Sequence, residues 1–338
     1  MMSQTKWNTK RFTITVISLI AAIILVFFLS LNLGIIKIPP LEVLQAFMGK
    51  ASPQSTNILF NFRLPRMVIA ILIGMGMAIA GSILQSVSRN ALADPGIIGI
   101  NAGAGFAVIL YIFFFQGSIG SDAASVYIMP FSALLGALLA AGLIYVIAWK
   151  DGVSPVRLVL VGIGINSAFG ALIIIFQLMM DPRDFTQATI WITGSIWSAS
   201  WDYVFAVLPW ICLFVPLALY KSHKLNLLQL GENTAAGLGV SIERERGILL
   251  FISVALAGAC VSVGGGISFL GLIAPHLARR IIGPRHQTLL PVAALIGAFL
   301  LLTADMIGKN LMAPTEIPVG LVVSCLGAPY FIYLLIKD

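Results

Sequence analysis

Charge is the scarcest property of this sequence. Only 10% of its 338 residues are Asp, Glu, Lys or Arg, whereas soluble domains carry about 25%. Cysteine is also sparse. Cys212, Cys260 and Cys325 lie in apolar stretches with no short spacing between them, so no disulfide framework or cysteine zinc motif is visible. No G-x-x-x-x-G-K-[ST] occurs, so the chain does not bind ATP through a P-loop. No H-E-x-x-H or G-x-S-x-G occurs either, and no catalytic constellation is evident. The net charge is +7, but no basic patch interleaves with aromatics, which argues against nucleic acid. His276 has neither a carboxylate nor a cysteine beside it, so it reads as structural rather than as a metal ligand. No metal site and no cofactor are expected.

What is abundant is apolar. Hydrophobic residues make up 59% of the chain and mean hydropathy is +1.02. A spanning helix needs about 20 apolar residues, so the chain reads as an all-α integral membrane protein of about ten spans forming a single domain over 1–338. The spans are expected at 13–33, 66–84, 96–115, 128–149, 157–180, 203–220, 247–266, 268–282, 287–306 and 317–336. The first follows Lys6, Lys10 and Arg11 like a signal sequence. It is too long for an h-region and lacks an A-x-A site, so it reads as a retained span. The eighth is weak, being short and carrying His276, Arg279 and Arg280.

An even number of spans puts both termini on one side. With the N-terminus inside, most of the 20 Lys and Arg fall on the cytoplasmic face, as the positive-inside rule requires. The exceptions are Lys37, Lys50, Arg63, Arg66, Arg183 and Lys309. Asp94, Asp305 and Glu316 fall at expected span ends. Mid-membrane charges usually mark ion or proton routes. Their scarcity argues against a proton- or sodium-driven carrier and against an intramembrane aspartyl protease.

Glycines stud the spans. Gly74, Gly76 and Gly81 lie in the second, Gly99 and Gly103 show G-x-x-x-G spacing in the third, and Gly162, Gly164 and Gly170 lie in the fifth. Tight helix packing is the plain reading. Asp94-Pro95 reads as an N-cap followed by an N1 proline opening a helix.

One polar island interrupts the apolar pattern, from Lys221 to Arg246. Leu225, Leu227, Leu228 and Leu230 form an apolar cluster that stops at Gly231. Asn233 has N-cap chemistry, and Gly237 and Gly239 stop a second short helix. Ser241, with Glu243 and Glu245 behind it, is a further cap. The island therefore reads as two short helices on the cytoplasmic surface. Taken alone it is either a solvated connector or a docking platform for a soluble partner.

Five stretches resemble the FecCD family, the permease subunits of the iron-siderophore, haem and vitamin B12 ABC importers. They are RLPR at 63–66, AGSILQSVSRNALADPGIIGINAGA at 80–104, LGENTAAGLGVSIERER at 230–246, GGISFLGLIAPHLARRIIGPRHQTLLP at 265–291 and ADMIGKNLMAPTEIPVGLVVSCLGAPYF at 304–331. The resemblance implies a type II ABC importer permease fold of ten helices, with helices two to five and seven to ten related as an inverted repeat. It implies a second permease subunit, identical or paralogous, two cytoplasmic ATPase subunits, and an extracytoplasmic substrate-binding protein. The island becomes the ATPase-coupling element, carried by Leu225, Leu227, Leu228, Leu230, Gly231, Glu232, Asn233, Ala236, Gly237, Leu238 and Gly239. The family's outer basic positions, which engage acidic residues of the binding protein, fall on Arg63, Arg66 and Lys309. Lysine at 309 stands where arginine is usual and loses bidentate geometry. Ala91 replaces the proline of the family's R-N-P-L-A-D-P motif, which loosens that turn.

The expected function is ATP-driven import of an iron-siderophore complex across a bacterial cytoplasmic membrane, with no enzymatic chemistry in this chain. Haem or cobalamin are alternative cargoes within the same fold. A stand-alone channel or secondary carrier is the alternative of another class. Asn101, Asn166, Gln177 and Ser195 are the expected polar lining of the path.

Overall fold

The computed structural model describes residues 2–337 except 35, 37, 97–98, 116–124, 151 and 153; Lys37 therefore lies outside the described residues. Each expected span coincides with one helix: α1 (Met2–Asn32), α4 (Leu64–Ser88), α5 (Ile100–Phe115), α6 (Ser125–Ala148), α7 (Pro155–Leu178), α9 (Trp201–Tyr220), α12 (Ile242–Gly264), α13 (Leu270–Ile282), α14 (His286–Leu311) and α15 (Val319–Lys337). Among the described residues, seven helical segments are long and apolar enough to cross a membrane. α5, α13 and α15 are shorter. α13, at 13 residues, is about 20 Å long, less than the ~30 Å hydrocarbon core.

Among the described residues, five short helices lie between these ten. The island is α10 (Ser222–Gln229) and α11 (Glu232–Gly237), as expected. Three others, α2 (Pro40–Phe47), α3 (Pro53–Asn57) and α8 (Pro182–Ile192), were not foreseen. Each opens on a proline, whose missing N–H costs nothing in a first turn. At α3 the Ser52 hydroxyl also accepts from the Ser55 N–H at 3.2 Å. A π-helical turn, Ile58–Arg63, joins α3 to α4.

Three local expectations need correction. Gly231, with φ 108°, occupies the N-cap of α11, and Asn233 lies inside that helix. Asp94-Pro95 does not open a helix, since α5 starts at Ile100. Instead the Asp94 carboxylate accepts from the Gly96 N–H at 2.7 Å and fixes a turn. Asp305 lies inside α14 rather than at its end, because α14 continues to Leu311.

The packing repeats. α5, α6 and α7 contact one another, and so do α13, α14 and α15. α4 packs on α13 and α14, while α12 packs on α5 and α6, and α4 and α12 meet each other. Exchanging α4–α7 with α12–α15 preserves this pattern. α4 ends beside α10 and α12 begins there, so the two halves run in opposite directions, as an inverted repeat does.

α4 is the hub. In its segment 83% of the most apolar window is buried. Its approach to neighbours depends on missing side chains. A Cβ on Gly74 would collide with the Gly297 backbone of α14, and one on Gly81 would run into the Gly271 carbonyl of α13. Around Gly142 on α6 there is open space. Overpacking such contacts costs about 1–3 kcal/mol. Gly81→Val is therefore expected to lower the detergent-solubilised unfolding temperature by several degrees, and Gly142→Val to leave it unchanged. Equal melting curves for the two variants would contradict this packing account.

Candidate functional site

Three polar loci punctuate the apolar body. Two of them lie at opposite ends of α4, which at 25 residues is about 37 Å long.

The first locus surrounds the start of α4 and the end of α14. Arg63 is buried at 5% exposure. Its two terminal guanidinium nitrogens donate to the carbonyls of Leu31 and Ile36, so it ties the end of α1 to the start of α4. Arg66 is also held within the protein. Its Nη2 lies 2.8 Å from Asp305 Oδ1 and its Nη1 2.7 Å from Glu316 Oε2. Lys309 faces the same cavity of about 200 Å3, together with Arg63, Arg66, Asp305 and Glu316. The three sequence-identified basic residues thus converge, with two carboxylates that the pattern of basic positions did not reveal. Trp201 closes the neighbourhood by donating Nε1–H to the Phe60 carbonyl at 2.8 Å, inside the π-helical turn.

The second locus is a cavity of about 420 Å3 between α5, α7, the end of α8 and the α12–α13 connection. Asn101 and Asn166 both line it, with Ser268, Trp191 and Phe269. Asn101 donates Nδ2–H to the Ile267 carbonyl at 3.2 Å. Its Oδ1 is buried and finds no hydrogen-bond partner among the described residues. Among the described residues, no ionisable side chain lines this cavity. The other two expected lining residues lie elsewhere. Gln177 donates to Thr189 Oγ1 at 3.4 Å. Ser195 lines a separate crevice near Arg66 and Glu316 and accepts from the Trp197 N–H. Ser268 and Trp191 were missed because nothing local distinguishes them from packing residues.

The third locus is the island. Leu225 and Leu228 are buried and seat α10 on the body, whereas Leu230 and Leu238 are each 59% exposed. Leu227 is half-buried, and Asn233, Ala236, Gly237 and Gly239 are exposed. Two ion pairs clamp the platform to α12: Lys221 with Glu245 at 2.8 Å and Arg246 with Glu232 at 2.6 Å, while Glu243 within α12 holds Arg246 in place at 2.9 Å. The Arg89 Nε–H reaches the Leu228 carbonyl at 3.3 Å and joins the end of α4 to α10. The island is therefore a folded element, not a loose connector.

A helical membrane body with an uncharged polar cavity, a charged cluster at one end and a clamped platform at the other has the build of a transport permease. Residues 22–337 match the FecCD transport family. The chain is 59% identical over 317 residues to the iron(3+)-hydroxamate import system permease protein FhuG of Bacillus subtilis (strain 168), covering 93% of this chain and 94% of that protein. It is 39% identical to the hemin transport system permease protein HmuU of Yersinia pestis, over 83% of this chain and 84% of that protein. A solved structure, described as an inward-facing conformation of a metal-chelate type ABC transporter, superposes with a TM-score of 0.83 at 30% identity, covering 96% of this chain and 99% of that one. The chain belongs to the FecCD transport family, and it is a multi-pass membrane protein.

The Arg66 ion pairs carry a direct prediction. Removing one partner of a buried pair leaves an uncompensated charge, at about 3–5 kcal/mol. Arg66→Ala should sharply lower thermal stability in detergent, and Arg66→Met with Asp305→Leu should recover much of it. A double variant no more stable than Arg66→Ala would show that the pairing is incidental.

Proposed function

We propose that this chain is the transmembrane permease subunit of an ATP-driven importer that carries an uncharged iron-siderophore chelate, of the hydroxamate type, across the bacterial cytoplasmic membrane. The observation that carries the cargo assignment is the uncharged cavity lined by Asn101, Asn166 and Ser268. Ferric iron held by three hydroxamates is electrically neutral, and a low-dielectric cavity accepts a neutral solute at far lower cost than an ion. Asparagine offers both donors and acceptors to the ligand's amide-like groups, while Trp191 and Phe269 offer apolar surface. The high identity to an iron(3+)-hydroxamate permease supports the same cargo class. Haem fits less well, since its carboxylates would find no cation in this lining.

The platform faces the cytoplasm, as do both termini. A separate ATPase subunit binds Leu230, Leu238 and the exposed face of α11, and ATP hydrolysis takes place there rather than in this chain. Two ATPases serve a pair of permease subunits, and the second permease, a copy or a paralogue, covers α7. Only 11% of the apolar window of α7 is buried, and this helix carries Asn166 beside the cavity. The cluster at the other end of α4 receives the substrate-binding protein. Arg63 braces that cluster from behind, while Arg66 and Lys309 carry the positive charge the partner meets. Glu316, at 19% side-chain exposure against 1% for Asp305, is the partner of Arg66 that an incoming carboxylate replaces. Such charges mainly steer encounter and fix register.

Two measurements test this reading. In a deletion strain complemented with Asn101→Leu plus Asn166→Leu, uptake of radiolabelled ferric hydroxamate should fall about tenfold, the scale expected when a polar ligand loses two hydrogen-bonding partners. Wild-type uptake by that variant would remove the cavity from the path. Lys309→Glu should weaken capture of the binding protein about tenfold, and unchanged affinity would overturn the docking role.

A further inference from the structure

A second polar structure lies under the platform, and the island's own residues account for only part of it. α10 sits beside the end of α4 and the start of α14. Between the buried anchors Leu225 and Leu228, it directs Asn226 toward His286, the first residue of α14. His286 is fully buried, as is Ser86 near the end of α4. The Asn226 Oδ1 accepts from the His286 backbone N–H at 3.0 Å and lies 2.8 Å from His286 Nδ1. His286 Nε2 lies 2.6 Å from Ser86 Oγ. Asn226 Nδ2–H donates to Gln287 Oε1 at 2.9 Å, and Gln287 Nε2 lies 2.7 Å from His223 Nδ1. Gln229 Nε2–H closes the circuit on Ser86 Oγ at 3.4 Å.

Asn226 Oδ1 can only accept, so His286 carries its proton on Nδ1. The neutral ring then accepts at Nε2 from the Ser86 hydroxyl, which in that arrangement turns its one proton away from its other acceptor, the Ser82 carbonyl at 2.8 Å. One directed chain thus joins three separate elements: α10, the start of α14 and the end of α4. Next to it a groove of about 630 Å3 runs between α10 and the α13–α14 turn. Leu230 and His223 stand on one wall, Pro284 and Arg285 on the other. Its lining includes a guanidinium and an imidazole but, among the described residues, no carboxylate.

We propose that residues 284–288 form a second wall of the ATPase-docking surface, and that His286 is a positioning residue that transmits displacement of α10 to α4 and α14. The partner surface that fits this groove offers an apolar seat for Leu230 and a carboxylate for Arg285. This inference rests on the permease reading above. Hydrophobic seating alone would let α10 slide, whereas buried hydrogen bonds resist being broken, because each group left unsatisfied costs about 1–3 kcal/mol. A push on α10 therefore moves its bonded neighbours.

The test uses the purified permease–ATPase complex in proteoliposomes with the binding protein present, reading cargo imported per ATP hydrolysed. His286→Leu, which cannot bridge Asn226 and Ser86, is expected to lower that ratio about tenfold. His286→Gln, which can donate to one and accept from the other, should restore part of it. Arg285→Glu should weaken retention of the ATPase about tenfold while thermal stability stays at the wild-type value. If His286→Leu does not fold, Asn226→Ala at the outer end of the chain reports the same coupling. A wild-type ratio in both His286→Leu and Asn226→Ala would overturn the transmission role, and unchanged ATPase affinity in Arg285→Glu would overturn the second wall. Absence of ATP-dependent uptake in the wild-type complex would instead defeat the permease reading itself.

Discussion

The close packing of α4 is the constraint on which the other features depend. This helix packs on α12 and meets α14 and α13 at distances that only glycine allows, at Gly74 against Gly297 and at Gly81 against Gly271. In a bilayer no hydrophobic effect drives helices together, so close backbone approach and a few polar contacts must do so. Burying α4 this deeply makes it the shared wall of both halves of the repeat. Its first turn supplies Arg66 to the charged cluster, and its last turns supply Ser86 and Arg89 to the platform. A helix held along its whole length passes a displacement at one end to the other. The same burial leaves no room for charge along its middle, which matches an importer powered by a separate ATPase rather than by an ion gradient.

Two ends of one helix therefore carry different chemistry for a physical reason. At the cluster end Arg66 is satisfied by Asp305 and Glu316 within the chain, and Glu316 is the more exposed of the two carboxylates. At the platform end two kinds of contact are used: the ion pairs Lys221–Glu245 and Arg246–Glu232 hold the island to α12, and neutral groups join it to α4 and α14. Asparagine, glutamine, serine and a histidine ring join the platform to the body by directional bonds that do not depend on screening by salt. The absence of ionisable groups from the cavity lining, among the described residues, agrees with the neutral cargo proposed above.

Much of this was legible in the residues. Apolar runs located the ten longest helices, and the glycine positions in the second span became the helix contacts that close packing predicts. The polar island was legible as two short helices because its leucine cluster, Leu225 to Leu230, stops at Gly231, and Gly237 and Gly239 stop the second helix. Convergence across the chain was not legible. Nothing near Arg66 announces that Asp305 and Glu316 will meet it, and nothing near Asn226 announces His286. Such pairs are set by the repeat's packing, which sequence spacing does not encode. Asn101 and Asn166 were found because a polar amide in an apolar span is conspicuous. Gln177 and Ser195 were equally conspicuous but are turned to local partners. The N-cap of α11 went to Gly231 because the chain there needs a positive φ, a demand that overrides side-chain capping chemistry.

In the function proposed above, transport through this chain is driven by a separate ATPase gripping the α10–α11 platform. It is tested most directly by reconstituting the purified permease with and without its ATPase, and following radiolabelled ferric hydroxamate delivered by the binding protein. The account predicts accumulation against a gradient only when ATPase and ATP are both on the platform side of the membrane. Accumulation that persists without the ATPase, or that tracks an imposed proton or sodium gradient, would contradict it.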